Sequence, residues 1–109
     1  MDKVTKYRKI ICQFLQDFAR DDSEAQLIFD SERDRYLVMH VAWRNDYRIY
    51  GCAMQLDLID NKIWIQNNST EIYVDRELIK RGIAAEDIVL GFRSPSVRAK
   101  IALIMANNQ

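Results

Sequence analysis

The sequence predicts an α+β domain of two layers, with an N-terminal helix packed on a four-stranded antiparallel meander and short C-terminal helices after it. Three observations carry this reading. An apolar stripe of helical period opens the chain, four strand-like runs separated by short polar turns follow, and helix start and stop signals mark the last third. The 109 residues, 49% hydrophobic and 29% charged, have the size and balance of one folded domain spanning residues 1–109.

In the first element Val4, Tyr7, Ile10, Ile11, Phe14, Leu15 and Phe18 recur at helical spacing, while Lys6, Lys9, Gln13, Gln16 and Asp17 fall largely opposite. Asp21-Asp22-Ser23 ends the helix. Residues 25–30 form a short strand, and the polar tip Ser31 to Asp34 turns the chain into a second strand over 36–43, rich in β-branched and aromatic residues. Arg44-Asn45-Asp46 makes the next turn, before a long third strand over 47–58. Leu58 to Asn61 then reverses the chain into Lys62–Gln66. Strict alternation on the third strand puts Tyr50, Cys52, Met54, Leu56 and Leu58 on one face. Ile49, Gly51, Ala53, Gln55 and Asp57 fall on the other, and Gly51 suggests a bulge or a close backbone approach.

Ser69 or Thr70 is the expected cap of a helix running to about Arg81, with Ile72, Leu78 and Ile79 inward and Gly82 ending it. Ala85 to Ile88 reads as one more helical turn. Ser94-Pro95 starts a final helix that carries Val97, Ile101, Ile104 and Met105 at helical spacing, and the tail Asn107 to Gln109 is expected to fray.

Charge and cysteine content narrow the function classes. Sixteen basic and sixteen acidic residues cancel, whereas a protein that grips DNA through phosphates usually carries a basic excess. Only residues 76–109 lean basic, by +3. Cys12 and Cys52 lie in apolar runs and read as buried thiols rather than a disulfide framework. The opening Met1 to Lys6 has no signal-peptide core, and the longest strongly apolar run, Ile101 to Ala106, is too short to span a bilayer. A cytoplasmic protein is expected.

The residues offer no catalytic constellation. His40, the single histidine, sits in an apolar run and is read as a packed, hydrogen-bonded imidazole. Cys12, His40 and Cys52 are too scattered for a metal site, and three glycines cannot build a phosphate-cradling loop. Asp46, Asp57, Asp60 and Lys62 come nearest to a metal-dependent nuclease set, and Asp60-Asn61-Lys62 has a superficially suitable order, but Asp60-Asn61 has the composition of a turn. We therefore expect no enzyme activity, no cofactor and no metal. The remaining candidates are surface residues. Trp43, Tyr47, Tyr50 and Trp64 exceed what one helical layer can cover and suit a protein interface. Arg76, Lys80 and Arg81 line one helix and, with Arg93, Arg98 and Lys100, form a candidate phosphate-facing patch.

One set of motifs goes further. Lys62-Ile-Trp-Ile-Gln-Asn67, then Thr70-Glu71-Ile72, Gly82-Ile83 and Glu86-Asp87-Ile-Val-Leu-Gly-Phe92 with Pro95 and Arg98, resembles the cyanobacterial XisI family of controlling factors for fdxN element excision. Upstream, Tyr7 to Ile11, Gln26 to Asp30, Glu32 to Asp34, Tyr36, Trp43 and Gly51-Cys52 extend the likeness to nearly the whole chain, up to about Arg98. Ser94 replaces the first of the family's two prolines, Ser69 stands where glycine is common, and the tail beyond Arg98 diverges. The resemblance implies a small α+β fold and a non-enzymatic accessory role in site-specific DNA recombination during heterocyst development. It also implies an XisH-like protein partner, with DNA contacted indirectly. Direct DNA binding through the basic C-terminal third is the alternative. A homo-oligomer is compatible with exposed strand edges.

Overall fold

The computed structural model describes residues 2–107, with side chains described through Ile104. Helix α1 spans Lys3–Ala19 and is capped by Asp2, whose carboxylate accepts the Thr5 N–H at 2.7 Å. Strands β1 (Ala25–Asp30), β2 (Arg35–Arg44), β3 (Tyr47–Ile59) and β4 (Lys62–Asn68) follow. Next come helix α2 (Val74–Lys80), a 3-10 turn at Ala85–Asp87, strand β5 (Ile88–Leu90) and helix α3 (Pro95–Asn107). The α+β class and the order of the main elements are as the sequence predicts.

The sheet differs in one respect. Among the described residues it has five strands in the order β1-β2-β3-β4-β5, and β5 joins β4 in parallel, Ile63↔Ile88 to Ile65↔Leu90. The expected four-stranded antiparallel meander is therefore the first four strands of a mixed sheet. Three apolar residues after a helical turn carry too little periodicity to announce a strand. The crossover through α2 makes the parallel pairing possible.

The apolar face of α1 covers the sheet as its spacing requires. Tyr7, Ile11, Phe14 and Leu15 are buried against Tyr36, Val38, Met54, Leu56, Leu58, Ile63 and Ile65, with Val74, Leu78 and Ile83 closing the α2 end. Two bulges displace the strict alternation. Val38 pairs with Met54 but Met39 with Cys52, which leaves Ala53 as the extra residue, and Gln66 is extra between Ile65 and Asn67. Beyond Ala53 the faces exchange. Tyr50 and Cys52 leave the core side, where simple alternation had placed them with Met54. The bulge lies two residues beyond Gly51, and a Cβ on Gly51 would meet nothing within 4 Å, so no close approach occurs there.

Helix α2 also starts later than expected. The Asn68 side-chain Oδ1 accepts from the Thr70 N–H at 3.0 Å and the Thr70 hydroxyl accepts from the Ile72 N–H at 3.2 Å. Local side-chain turns thus consume the donors that a helix beginning at Ser69 or Thr70 would have capped. Leu78 and Val74 face inward, Ile72 is partly buried against the core, and Ile79 points out. Gly82 ends the helix at φ +110°, so replacing it by alanine is expected to cost about 1–2 kcal/mol, read as a lower urea midpoint at unchanged slope. Helix α3 starts at Pro95 as predicted, with the Val97 N–H donating to the Ser94 hydroxyl at 3.3 Å. The side chain of Met105 and the expected fraying of Asn108 and Gln109 lie outside the described residues. No described helix is long and apolar enough to cross a membrane.

Candidate functional site

The molecule is elongated. A compact chain of this length has a radius of gyration of about 13 Å; here it is 15.1 Å, with extents of 49 × 33 × 23 Å. The two-residue loop Asn45-Asp46, with Asn45 at φ +57°, fixes the register of the hairpin end. Trp43 is then opposite Arg48 and Val41 opposite Tyr50, all on the face away from α1. The Arg48 guanidinium lies 5.0 Å from the Trp43 ring centroid and 5.5 Å from that of Tyr50, clamped between two aromatic faces. Trp43, Tyr47 and Tyr50 are 59%, 74% and 68% exposed. The loop end of the hairpin is braced against the segment that leads into β1. Arg44 donates two hydrogen bonds of 2.7 Å to Glu24 and thereby lowers the pKa of that carboxyl, and His40 Nε2 lies 2.6 Å from the Asp22 carboxylate. His40 is thus the hydrogen-bonded imidazole expected from the sequence, though only partly buried.

Trp64 is not part of this cluster. It pairs with Asp57, nine positions along β3 from Arg48, roughly 25–30 Å away at the rise of a strand. The Arg98 guanidinium covers its ring at 5.2 Å.

A model of the XisI protein family matches residues 1–103. The chain belongs to the XisI family. Two solved structures from Anabaena variabilis ATCC 29413 are similar to it. One, a XisI-like protein, is 39% identical with a TM-score of 0.83 over 89% of this chain and 94% of that one. The other, an fdxN element excision controlling factor XisI, is 33% identical with a TM-score of 0.75 over 89% of this chain and 99% of that one. No curated protein matches.

In this XisI-family chain the basic residues of the C-terminal third do not form one stripe. Arg76 and Lys80 share an exposed side of α2, with Arg76 stacked on Tyr73 at 4.5 Å and Lys80 3.8 Å from Glu77. Arg81 turns instead toward α1, where it bonds Asp17 at 2.9 Å and covers Phe14. Arg93 lies over Phe92, and Arg98 donates to the Arg93 carbonyl at 2.9 Å. Arg81 and Arg98 are thus engaged in holding helices in place.

The carboxylates of the nuclease-like order are also occupied otherwise. Asp57 is buried, accepts from Gln55 and Gln66 at 3.0 and 3.1 Å, and lies 3.5 Å from Arg35. Asp60 and Asn61 sit at φ +52° and +63°, the conformation a two-residue hairpin loop requires. Among the described residues no three His, Cys, Asp or Glu side chains are grouped to hold a metal. Sequence reasoning had missed Arg48. The signal was present, because once Asn45-Asp46 is a two-residue loop, Arg48 must stand opposite Trp43.

Proposed function

We propose that this chain is a non-enzymatic accessory factor that controls excision of an fdxN-type DNA element by binding a protein partner, the XisH-like protein, through the tip of the β2–β3 hairpin. The observation that carries this reading is the exposed Trp43–Arg48–Tyr50 cluster with Tyr47 beside it. Tryptophan, tyrosine and arginine are the side chains that dominate protein interfaces, and here they stand on a braced two-stranded ribbon, clear of the core. The similar A. variabilis XisI is an fdxN element excision controlling factor, which supports the excision role.

The test is titration of the intact chain with the XisH-like protein. Trp43→Ser with Tyr47→Ser is expected to weaken binding at least 100-fold, since each interface anchor is worth about 2 kcal/mol or more. Both side chains are mostly exposed, so the urea midpoint should barely move. Undiminished affinity in the double variant removes the hairpin from the interface. Direct DNA contact is the second reading, and exposed Arg76, Lys80 and Arg93 are what favour it. It requires affinity for duplex DNA that falls steeply with salt and is lost on charge reversal at Arg76 and Lys80.

A further inference from the structure

The two edges of the sheet are unlike. β5 is three residues long and lies beside α2 and α3, near Ile79, Arg98 and Ile101. β1 is six residues long, and among the described residues nothing pairs with its outer edge. Edge strands are normally blunted by lysine, proline or a bulge, to prevent unwanted pairing. Ala25-Gln-Leu-Ile-Phe-Asp30 carries none of these and runs in unbroken register along β2. Leu27, Ile28 and Phe29 are 38%, 48% and 36% exposed, an apolar run at the site most open to another strand.

The backbone polarity of this edge can be read from one hydrogen bond. Val41 donates its N–H to the Glu24 carbonyl at 3.1 Å, and the register Ala25↔His40 places Glu24 opposite Val41. An antiparallel ladder alternates, so Gln26, Ile28 and Asp30 direct their backbone groups toward β2. Leu27 and Phe29 therefore direct theirs outward. The Ala25 N–H, which also points away from β2, is taken by the Asp22 carbonyl at 3.2 Å. Leu27 and Phe29, two residues apart, thus set two donors and two acceptors on the open edge, and the Ala25 carbonyl adds a third acceptor.

We propose that β1 pairs antiparallel with β1 of a second copy, across a two-fold axis at Ile28, to make one continuous ten-stranded sheet. This register satisfies the edge against itself. Leu27 of each copy stands opposite Phe29 of the other, so the outward N–H and C=O groups of these two residues form four interchain hydrogen bonds. The side chains agree with the backbone. Leu27 meets Phe29 twice on the α1 side, Ile28 meets its own copy on the far side, and the Gln26 amide faces the Asp30 carboxylate. Asp30 is already fixed by Arg33, which donates to it from its backbone N–H at 3.1 Å and its guanidinium at 3.0 Å. Shifting the axis by one residue to Leu27 would oppose Glu24 to Asp30 and leave Ile28 facing Gln26, so charge and apolar matching both select Ile28.

The experiment measures the mass of the intact chain in solution by light scattering at micromolar concentration. The expected value is twice the 12.9 kDa of one chain. Ile28→Lys and Ile28→Asp, each on an exposed side chain, should each give folded monomers because like charges meet at the axis. Mixing the two in equal amounts should restore the dimer, since lysine then faces aspartate. Trp43→Ser with Tyr47→Ser should leave the mass unchanged, which separates this contact from the hairpin surface. A monomeric wild-type chain, a dimer that survives Ile28→Lys, failure of the mixed variants to pair, or loss of the dimer in the hairpin variant each overturns the proposal.

Discussion

Replacing Asp87 by alanine is expected to destabilise the protein by about 2–4 kcal/mol and to loosen the whole C-terminal third from α1. Asp87 is buried, and one of its oxygens accepts the Tyr7 hydroxyl at 2.6 Å and the Lys3 ammonium at 2.7 Å. Tyr7 in turn accepts the Ala84 N–H at 3.3 Å. Removing the carboxylate strips a buried hydroxyl of its acceptor, which costs about 1–3 kcal/mol, and adds a small cavity. Lys3 is half exposed and can turn to water, so its share is smaller. Asp87→Asn keeps an acceptor for Tyr7 and should lose only about half as much.

The same carboxylate sets an acid limit. The Lys3 ammonium and then the Tyr7 hydroxyl hold the Asp87 pKa below its ordinary value of 3.8. A group whose pKa is lowered by folding stabilises the protein above its unfolded value, and that stabilisation disappears as pH falls through the folded value. Asp34, lowered chiefly by Arg8, and Asp17, lowered chiefly by Arg81, act in the same direction. Stability should therefore be flat near neutrality and fall below about pH 4. Asp87→Asn should show a shallower acid limb than the wild type, measured as urea midpoint against pH.

Ile11→Ala is expected to cost about 3–5 kcal/mol, the largest loss among single aliphatic truncations on α1. Ile11 is fully buried at the centre of the helix, facing the sheet. Truncation forfeits the transfer of its side chain and leaves a cavity that neighbouring core residues can fill only partly. A domain of this size commonly has 5–15 kcal/mol in total, so the variant should melt near or below 37 °C. Ile79→Ala, on an exposed position of α2, is the control and should change stability by less than about 1 kcal/mol. Equal losses at the two sites would mean that α1 is not the main cover of the core.

What the sequence disclosed follows from how far each signal extends. The α1 stripe runs through seven apolar positions, and all seven are buried or partly buried. Asp60-Asn61 and Gly82 announced their backbone conformations by residue type and adopt them. The face assignment on β3 failed at Tyr50 and Cys52 because one inserted residue, Ala53, reverses every side chain beyond it and leaves no mark on composition. β5 was missed because Ile88-Val89-Leu90 becomes a strand only through its pairing with Ile63 to Ile65, a contact between distant segments. The helix expected from Ser69 was shortened by competing turns at Asn68 and Thr70. Of the surface, Trp43 and Tyr47 were legible as surplus aromatics. The cradling of Arg48 and the separation of Trp64 depended on register and strand length.

The parallel placement of β5 also orders the assembly of the chain in time. β1 through β4 each pair with a neighbour in sequence, so their loops are short and closing them costs little entropy. Only β5 must bring residues about 25 positions apart together, and it can do so only after α2 has crossed over. During synthesis the N-terminal helix and its four-stranded meander can therefore collapse while the last third is still emerging, and the C-terminal segment docks onto a surface already formed.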